Sequence, residues 1–234
     1  MTPETSNLFL SYLSPASRQS LLDASKPVDL PHKTELYNAD TTPQYAYFLN
    51  SGLASVVTPM ANGESAEVGF IGYEGVVGSL HLLGNTQMPT CCMVQLAGKG
   101  LRIALADLQR AFCDSEEVRN CILQFVQCHA AMTAQIAGCN RLHDAEQRLA
   151  RWLLMAWDRT QENDLNFTQE CLAEMIAVER TTVTAIAGDM QRKGLIEYAR
   201  GQLKISNRKN LELTTCECYP IVKMLFASLY SGQE

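Results

Sequence analysis

The chain has 234 residues, 47% of them hydrophobic, with a net charge of −6 at pH 7 and nine cysteines. That length and composition allow two domains with sizeable cores. An odd set of cysteines scattered from Cys91 onward does not frame a disulfide scaffold. No run of about 18 apolar residues that could span a membrane occurs, and the first ten residues lack the pattern of a secretion signal. A reducing cytoplasm is the expected location, with most thiols as small buried groups. The charge is unevenly placed: residues 1–140 hold seven basic and twelve acidic groups, whereas residues 176–210 hold seven basic and three acidic. A basic segment on an acidic chain is the electrostatic footprint of a polyanion partner.

In chain order, residues 6–24 read as short helices carrying Leu8, Leu10, Leu13, Leu21 and Leu22. From about 27 to 105 the pattern changes to short β-rich runs. Tyr45–Leu49, Leu53–Val57, Ala66–Ile71 and Met93–Leu96 are strand candidates, with turn signals at Asn50-Ser51-Gly52, Asn62-Gly63 and Glu74-Gly75. Such spacing predicts a jelly-roll barrel. Helix returns near Leu105. Between Ser115 and Leu142 there is no proline, and Val118, Ile122, Phe125, His129, Met132, Ile136 and Cys139 step by four and three. This heptad seam predicts a two-stranded coiled coil between copies, with His129 as a polar register device; the alternative is a helix packed on its own barrel. Asp144 can cap a further helix from Ala145 to about Arg159. The expected domains are a barrel over 1–112, a dimerisation helix over 113–143 and a DNA-binding unit over 144–234, an α+β architecture.

Residues 168–205 read as a winged helix-turn-helix. Thr168 is a good N-cap, and Leu172, Met175 and Ile176 give a first short helix one apolar face. A tight turn at Ala177-Val178 leads to a second helix from Glu179 to about Lys193, with Val183, Ile186 and Met190 at helical spacing and Gly194 as its stop. Leu195–Tyr198 and Leu203–Ile205, joined by Ala199-Arg200-Gly201-Gln202, form the wing. Two short helices joined by a tight turn are the geometry that lays the second in a major groove. Arg180, Thr181, Thr182 and Thr184 crowd the start of that helix. Arg can donate two bonds to guanine, and Thr offers a hydroxyl and a methyl, whereas β-branched Thr is a poor choice for a merely solvated helix face. With Thr168, Gln169, Ala185, Arg200 and Lys204 they make the expected DNA-contacting set.

The order of barrel, long helix and winged helix, with Ala145–Leu154 leading into the helix-turn-helix and Gly72-Tyr-Glu-Gly-Val-Val-Gly78 in the barrel, resembles the Crp/Fnr superfamily of bacterial transcription regulators. The resemblance covers nearly the whole chain. It implies a homodimer on a palindromic operator, with RNA polymerase as a further partner and the hinge near Asn140–Asp144 as the relay from sensor to DNA. It places Arg180 on the family's base-reading Arg. Thr181 and Ala185 fall where well-studied members carry an acidic residue and a second Arg, so a different operator is expected. In the sensor cassette, Gly78-Ser79-Leu80 stands where cyclic-nucleotide binders have Gly-Glu-Leu, and Pro89-Thr90 where they have Arg-Ser or Arg-Thr. Thr133 matches a base-contacting position. Gly78, Ser79, Leu80, Thr90 and Thr133 are thus the effector-site candidates. Without the phosphate-pairing Arg the cassette loses its main charge-assisted contact, so ordinary cyclic AMP binding is not expected.

No cofactor is expected. Haem, through His81 with Cys91 and Cys92 nearby, and a thiol redox role stay open. Cys216-Glu217-Cys218 alone is two ligands short of a zinc site, so no metal is expected there. No nucleophile–base pairing or phosphate-cradling loop suggests an enzyme. A signalling or scaffold module whose barrel binds a small molecule is the second reading of the chain.

Overall fold

The computed structural model describes residues 6–84, 87–160, 164–199 and 201–230. Two short helices, α1 (Leu8–Tyr12) and α2 (Pro15–Asp23), precede the barrel. Its strands are β1 (Ser25–Leu30), β2 (Glu35–Tyr37), β3 (Tyr45–Leu49), β4 (Leu53–Pro59), β5 (Ser65–Ile71), β6 (Val76–Val77), β7 (Cys91–Leu96) and β8 (Gly98–Ala104), with a 3-10 turn over Ser79–Leu82. They pair antiparallel as two four-stranded sheets, in the orders β1-β8-β3-β6 and β2-β7-β4-β5. Leu49, Phe48, Leu101 and Ile103 from one sheet and Val56, Ile71 and Val94 from the other share a core. The four strands expected from the sequence are present. β1, β2, β6 and β8 were not expected: β1 carries a proline and β8 two glycines, which mask the alternation that defines a strand.

Helices α3 (Leu105–Asp114) and α4 (Glu116–Leu142) follow, with Ser115 between them capping α4 through the Val118 amide. The seam of α4 is the main correction to the sequence reading. Val118, Ile122, Phe125, His129, Met132, Ile136 and Cys139 are all buried within the single chain, none more than 8% exposed. Val118, Ile122 and Phe125 complete the barrel core, whereas Met132 and Ile136 belong to a second core under the C-terminal domain. The heptad pattern records a helix wedged between two domains, and this face is not open to a second copy. Gly75 shows how close the packing is: a Cβ there would stand 2.3 Å from the Phe125 ring, so the turn after Glu74 must lack a side chain.

The C-terminal domain holds α5 (Ala145–Thr160), β9 (Asp164–Asn166), α6 (Gln169–Ile176), α7 (Arg180–Arg192), β10 (Ile196–Ala199), β11 (Gln202–Ile205), α8 (Arg208–Thr214) and α9 (Cys218–Ala227). The wing is a three-stranded sheet, β10-β11-β9, not a bare hairpin. β9 forms because Leu165 and Phe167 alternate inward, Phe167 meeting Trp152 edge-on at 4.7 Å. Helix α8 was also unforeseen; Asn207 caps it through the Asn210 amide.

Two buried polar contacts fasten the domains together. Glu67 on β5 accepts from Ser55 Oγ (2.5 Å) and from Trp152 Nε1 of α5 (2.7 Å). Arg159, at the end of α5, donates from Nε to Glu74 Oε1 at 2.8 Å, with both side chains about 95% buried. The guanidinium also lies over Phe70 and Phe226, 4.5 and 3.8 Å from their ring centres. Removing one partner of such a pair leaves the other charge buried and unmatched. Arg159→Ala should therefore cost about 3–5 kcal/mol. Urea unfolding monitored by tryptophan fluorescence would measure it, and Glu74→Gln, which leaves the buried Arg159 guanidinium without its counter-charge, should cost a similar amount.

Candidate nucleic-acid interface and sensor cassette

The helix-turn-helix is built on α6 and α7. Thr168 caps α6 by accepting from the Cys171 amide, as its position predicts. Leu172, Met175 and Ile176 are buried. The turn is made by Ala177 in the left-handed conformation (φ 52°, ψ 58°), where glycine is the ordinary residue. Its Cβ costs about 1 kcal/mol there. Val183, Ala187 and Met190 seat α7 against the domain core. The barrel covers the back of α6: Glu174 accepts from Ser65 Oγ on β5, and Ser55 Oγ also reaches Met175 Sδ at 3.7 Å.

That docking leaves the start of α7 in solvent. Arg180, Thr181, Thr184 and Ala185 are exposed, Thr182 is half-buried, and Thr168 and Lys204 are exposed beside them. Arg200 lies outside the described residues. Two contacts that the sequence did not reveal hold this surface in order. Arg180 pairs with Glu170 at 2.8 Å across α6 and α7, both side chains 63% exposed. Thr184 donates to Gln169 Oε1 at 2.8 Å. The signal was present as an acidic and an amide residue at the start of α6, but only the crossing of the helices makes them neighbours.

Part of the basic surplus is committed elsewhere. Arg208 pairs with Asp158 at 2.9 Å and lies over Trp157, so it is structural. Lys193 pairs with Glu146 at 2.5 Å, and Arg192 with Asp189. Arg148 Nη1 donates to the Ile176 and Asn140 carbonyls, at 2.8 and 3.1 Å, and so ties the end of α6 and the end of α4 to α5.

The cassette is closed. Gly78 takes φ 92° at the start of the 3-10 turn, and Ser79 and His81 are buried. The space bounded by Gly78, Ser79, Leu80, Tyr37, Phe125 and His129 measures about 10 Å³. That is room for about one water molecule; neither a nucleotide nor a haem fits it in this conformation. His81 packs edge-on to Tyr37 (4.8 Å), and His129 lies against Phe125 (5.9 Å). The other two effector candidates do not face open space as ligands would. Thr90 is half-buried and bonds to Tyr37, and Thr133 donates back to the His129 carbonyl at 3.0 Å. A roomier cavity, about 650 Å³, lies apart from the cassette between α1, α5 and α9, against Glu74 and Arg159.

The comparisons with known proteins agree with this architecture. Residues 147–214 match the family model of the Crp-like helix-turn-helix domain. FixK2 from Bradyrhizobium japonicum superposes with a TM-score of 0.70 at 14% identity, over 82% of this chain and 98% of its own. The c-di-GMP-responsive global regulator CLP of Xanthomonas campestris gives 0.68 at 16% identity, over 83% and 100%. A CRP-family transcriptional regulator from Thermus thermophilus gives 0.66 at 19%, over 81% and 95%. No curated protein matches the chain in sequence. The chain has the Crp/Fnr-type transcription regulator fold and carries a helix-turn-helix DNA-binding domain. Among the described residues no helix is long and apolar enough to cross a membrane.

Burial gives the cassette a pH signature. It holds the His129 pKa down to about 4. In the unfolded chain the imidazole protonates near the ordinary 6.5. Between those values the unfolded state binds more protons, so stability present above about pH 6.5 is lost as pH falls toward 4. Glu67 pulls the other way: burial raises its pKa to about 8, and its contribution falls as pH rises from the carboxylate range. The difference between the parent and His129→Gln isolates the histidine. It should change by on the order of 3 kcal/mol between neutral pH and about pH 4, read from urea midpoints.

Proposed function

We propose that the protein is a sequence-specific DNA-binding transcription regulator acting in the cytoplasm as a homodimer on a two-fold symmetric operator. The observation that carries this reading is the solvent-facing start of α7, where Arg180, Thr181, Thr184 and Ala185 are exposed together while the opposite face of the helix is buried. An arginine at the first turn of a helix that protrudes from a packed domain suits bidentate readout of guanine. Half-sites about one helical turn, roughly 34 Å, apart follow from two such helices related by a dyad. Transcription changes through contact with RNA polymerase or its exclusion from the site.

The second copy is proposed to pack on the face of α4 that the barrel leaves open. Leu123, Ala130, Ala134 and Ala137 are exposed there and fall on one heptad stripe, opposite the buried seam. Small residues allow two helices to approach closely, and exposed Leu123 adds apolar area. With the cassette closed over about 10 Å³, the dimer binds its operator without a cyclic nucleotide in that site.

Binding-site selection from random duplex DNA by the reduced protein, with no ligand added, tests the reading. Recovery of a palindrome supports it. Salt-independent or absent DNA affinity, with or without cell extract, overturns it in favour of a signalling module without DNA. On the selected operator, Arg180→Ala should cost about 1–3 kcal/mol and relax one base pair of each half-site. Glu170→Gln should tighten binding by up to about 1 kcal/mol, because it removes the carboxylate that holds Arg180 in the free protein. Both are read by fluorescence anisotropy at one fixed salt concentration. Ala134→Glu sets like charges face to face on the proposed dimer stripe. It should sediment as a monomer with its thermal midpoint nearly unchanged.

A further inference from the structure

The C-terminal Cys-x-Cys is completed by the end of α4. The ligand atoms of Cys139, His143, Cys216 and Cys218 all lie within 4.8 Å of one another, although the two pairs are more than seventy residues apart in sequence. Cys139 Sγ is 3.5 Å from Cys216 Sγ, and Cys218 Sγ is 3.5 Å from His143 Nδ1. A tetrahedral zinc with three thiolates and one imidazole has edges of about 3.5–3.8 Å, so these separations already approximate its faces. Cys139 lies in the last turn of α4, and His143, four residues on, is the residue that caps the end of that helix. Cys216 and Cys218 flank Glu217 at the start of α9. The three cysteines are buried together, apart from both hydrophobic cores.

Three further contacts have the form of a metal site's surroundings. His143 points Nδ1 at the cluster, while Nε2 lies 3.2 Å from the Glu217 carboxylate. A carboxylate on the far nitrogen fixes the tautomer that leaves Nδ1 free to ligate. Gln135 Nε2 donates to Cys218 Sγ at 3.1 Å, a bond that suits a thiolate. Arg151 is fully buried, and its Nε and Nη2 have no hydrogen-bond partner among the described residues. Cys139 is within its electrostatic reach, as is Glu67, whose two oxygens are already engaged by Ser55 and Trp152. A buried guanidinium requires a counter-charge. Zinc bound by three thiolates and a neutral imidazole carries a net charge of one negative unit and would supply it.

We infer that Cys139, His143, Cys216 and Cys218 bind one Zn²⁺ per chain in a closed structural site that fastens the start of α9 to the joint between α4 and α5. On binding, the three cysteine thiols release their protons to solvent, no electron is transferred, and all four coordination positions are filled by protein. This reverses the sequence-based expectation of no metal, because the fold provides the two ligands that the Cys-x-Cys lacks.

The test uses full-length protein purified without metal-chelating tags under reducing conditions. Elemental analysis should find one zinc per chain, and Cys218→Ser and His143→Ala should lose it, whereas Cys113→Ser, at an exposed thiol outside the cluster, should keep it. Should the ligand variants not fold, cobalt(II) added to the metal-stripped parent decides: intense visible bands with thiolate-to-cobalt charge transfer support the site. Glu217→Gln should retain the stoichiometry but bind zinc about 10–100-fold more weakly. Zinc-free parent protein with the faint spectrum of octahedral cobalt overturns the proposal. So does a Cys139–Cys216 disulfide that persists in the presence of zinc and reductant, or iron in place of zinc in the protein as isolated.

Discussion

The buried seam of α4 is the constraint from which the rest of the molecule follows. A helix of 27 residues is about 40 Å long, enough to line the barrel with one half and the C-terminal domain with the other. Val118, Ile122 and Phe125 fill the first core, and Met132 and Ile136 enter the second. Because that face is committed inside the chain, what α4 leaves in solvent is the opposite stripe, Leu123 with Ala130, Ala134 and Ala137. The same commitment closes the cassette, since Phe125 and His129 stand where an open pocket would need space. It also delivers the end of α4, with Cys139 in its last turn and His143 as its cap, to the joint where α5 begins.

The DNA-binding domain is held to the barrel by polar contacts whose failure would leave buried charges or unpaired groups. Glu74–Arg159 and Glu67–Trp152 act between α5 and the barrel, and the contacts of Ser55 and Ser65 act between α6 and the barrel. Contacts of this kind define one arrangement more sharply than apolar packing, which tolerates sliding. Their consequence for function is orientation: the first helix of the motif faces the barrel, and the start of α7 faces solvent. Arg148, which bridges two helix ends from α5, makes the joint near Asp144 part of the same unit.

Histidine placement shows how far burial governs chemistry here. His81 and His129 are enclosed with unsatisfied ring nitrogens and pKa values lowered by burial, so they favour the neutral form. His143, at the end of the same helix as His129, instead has a carboxylate on one nitrogen and a thiol on the other. The residue type is the same, and its surroundings decide whether it is core or ligand.

Much of this was legible in the sequence because it is local. The cap at Thr168, the periodicity of Leu172, Met175 and Ile176, the stop at Gly194 and the strand from Tyr45 to Leu49 depend on neighbours within a few residues, and the chain carries them openly. The heptad of α4 was equally visible, but its partner was not: periodicity reports that one face is buried, not against what. Strands β1 and β8 escaped notice because pairing with each other, and not alternation, holds a proline and two glycines extended. Contacts between residues distant in sequence, Arg180 with Glu170 across a helix crossing, Arg159 with Glu74, and Cys139 and His143 with Cys216 and Cys218, exist only once the chain has closed on itself. The sequence by itself determined most of the helices, four strands of the barrel and the chemistry at the exposed start of α7; the tertiary structure decided which faces go to the core and which distant side chains meet, because burial and coordination are properties of three-dimensional neighbours.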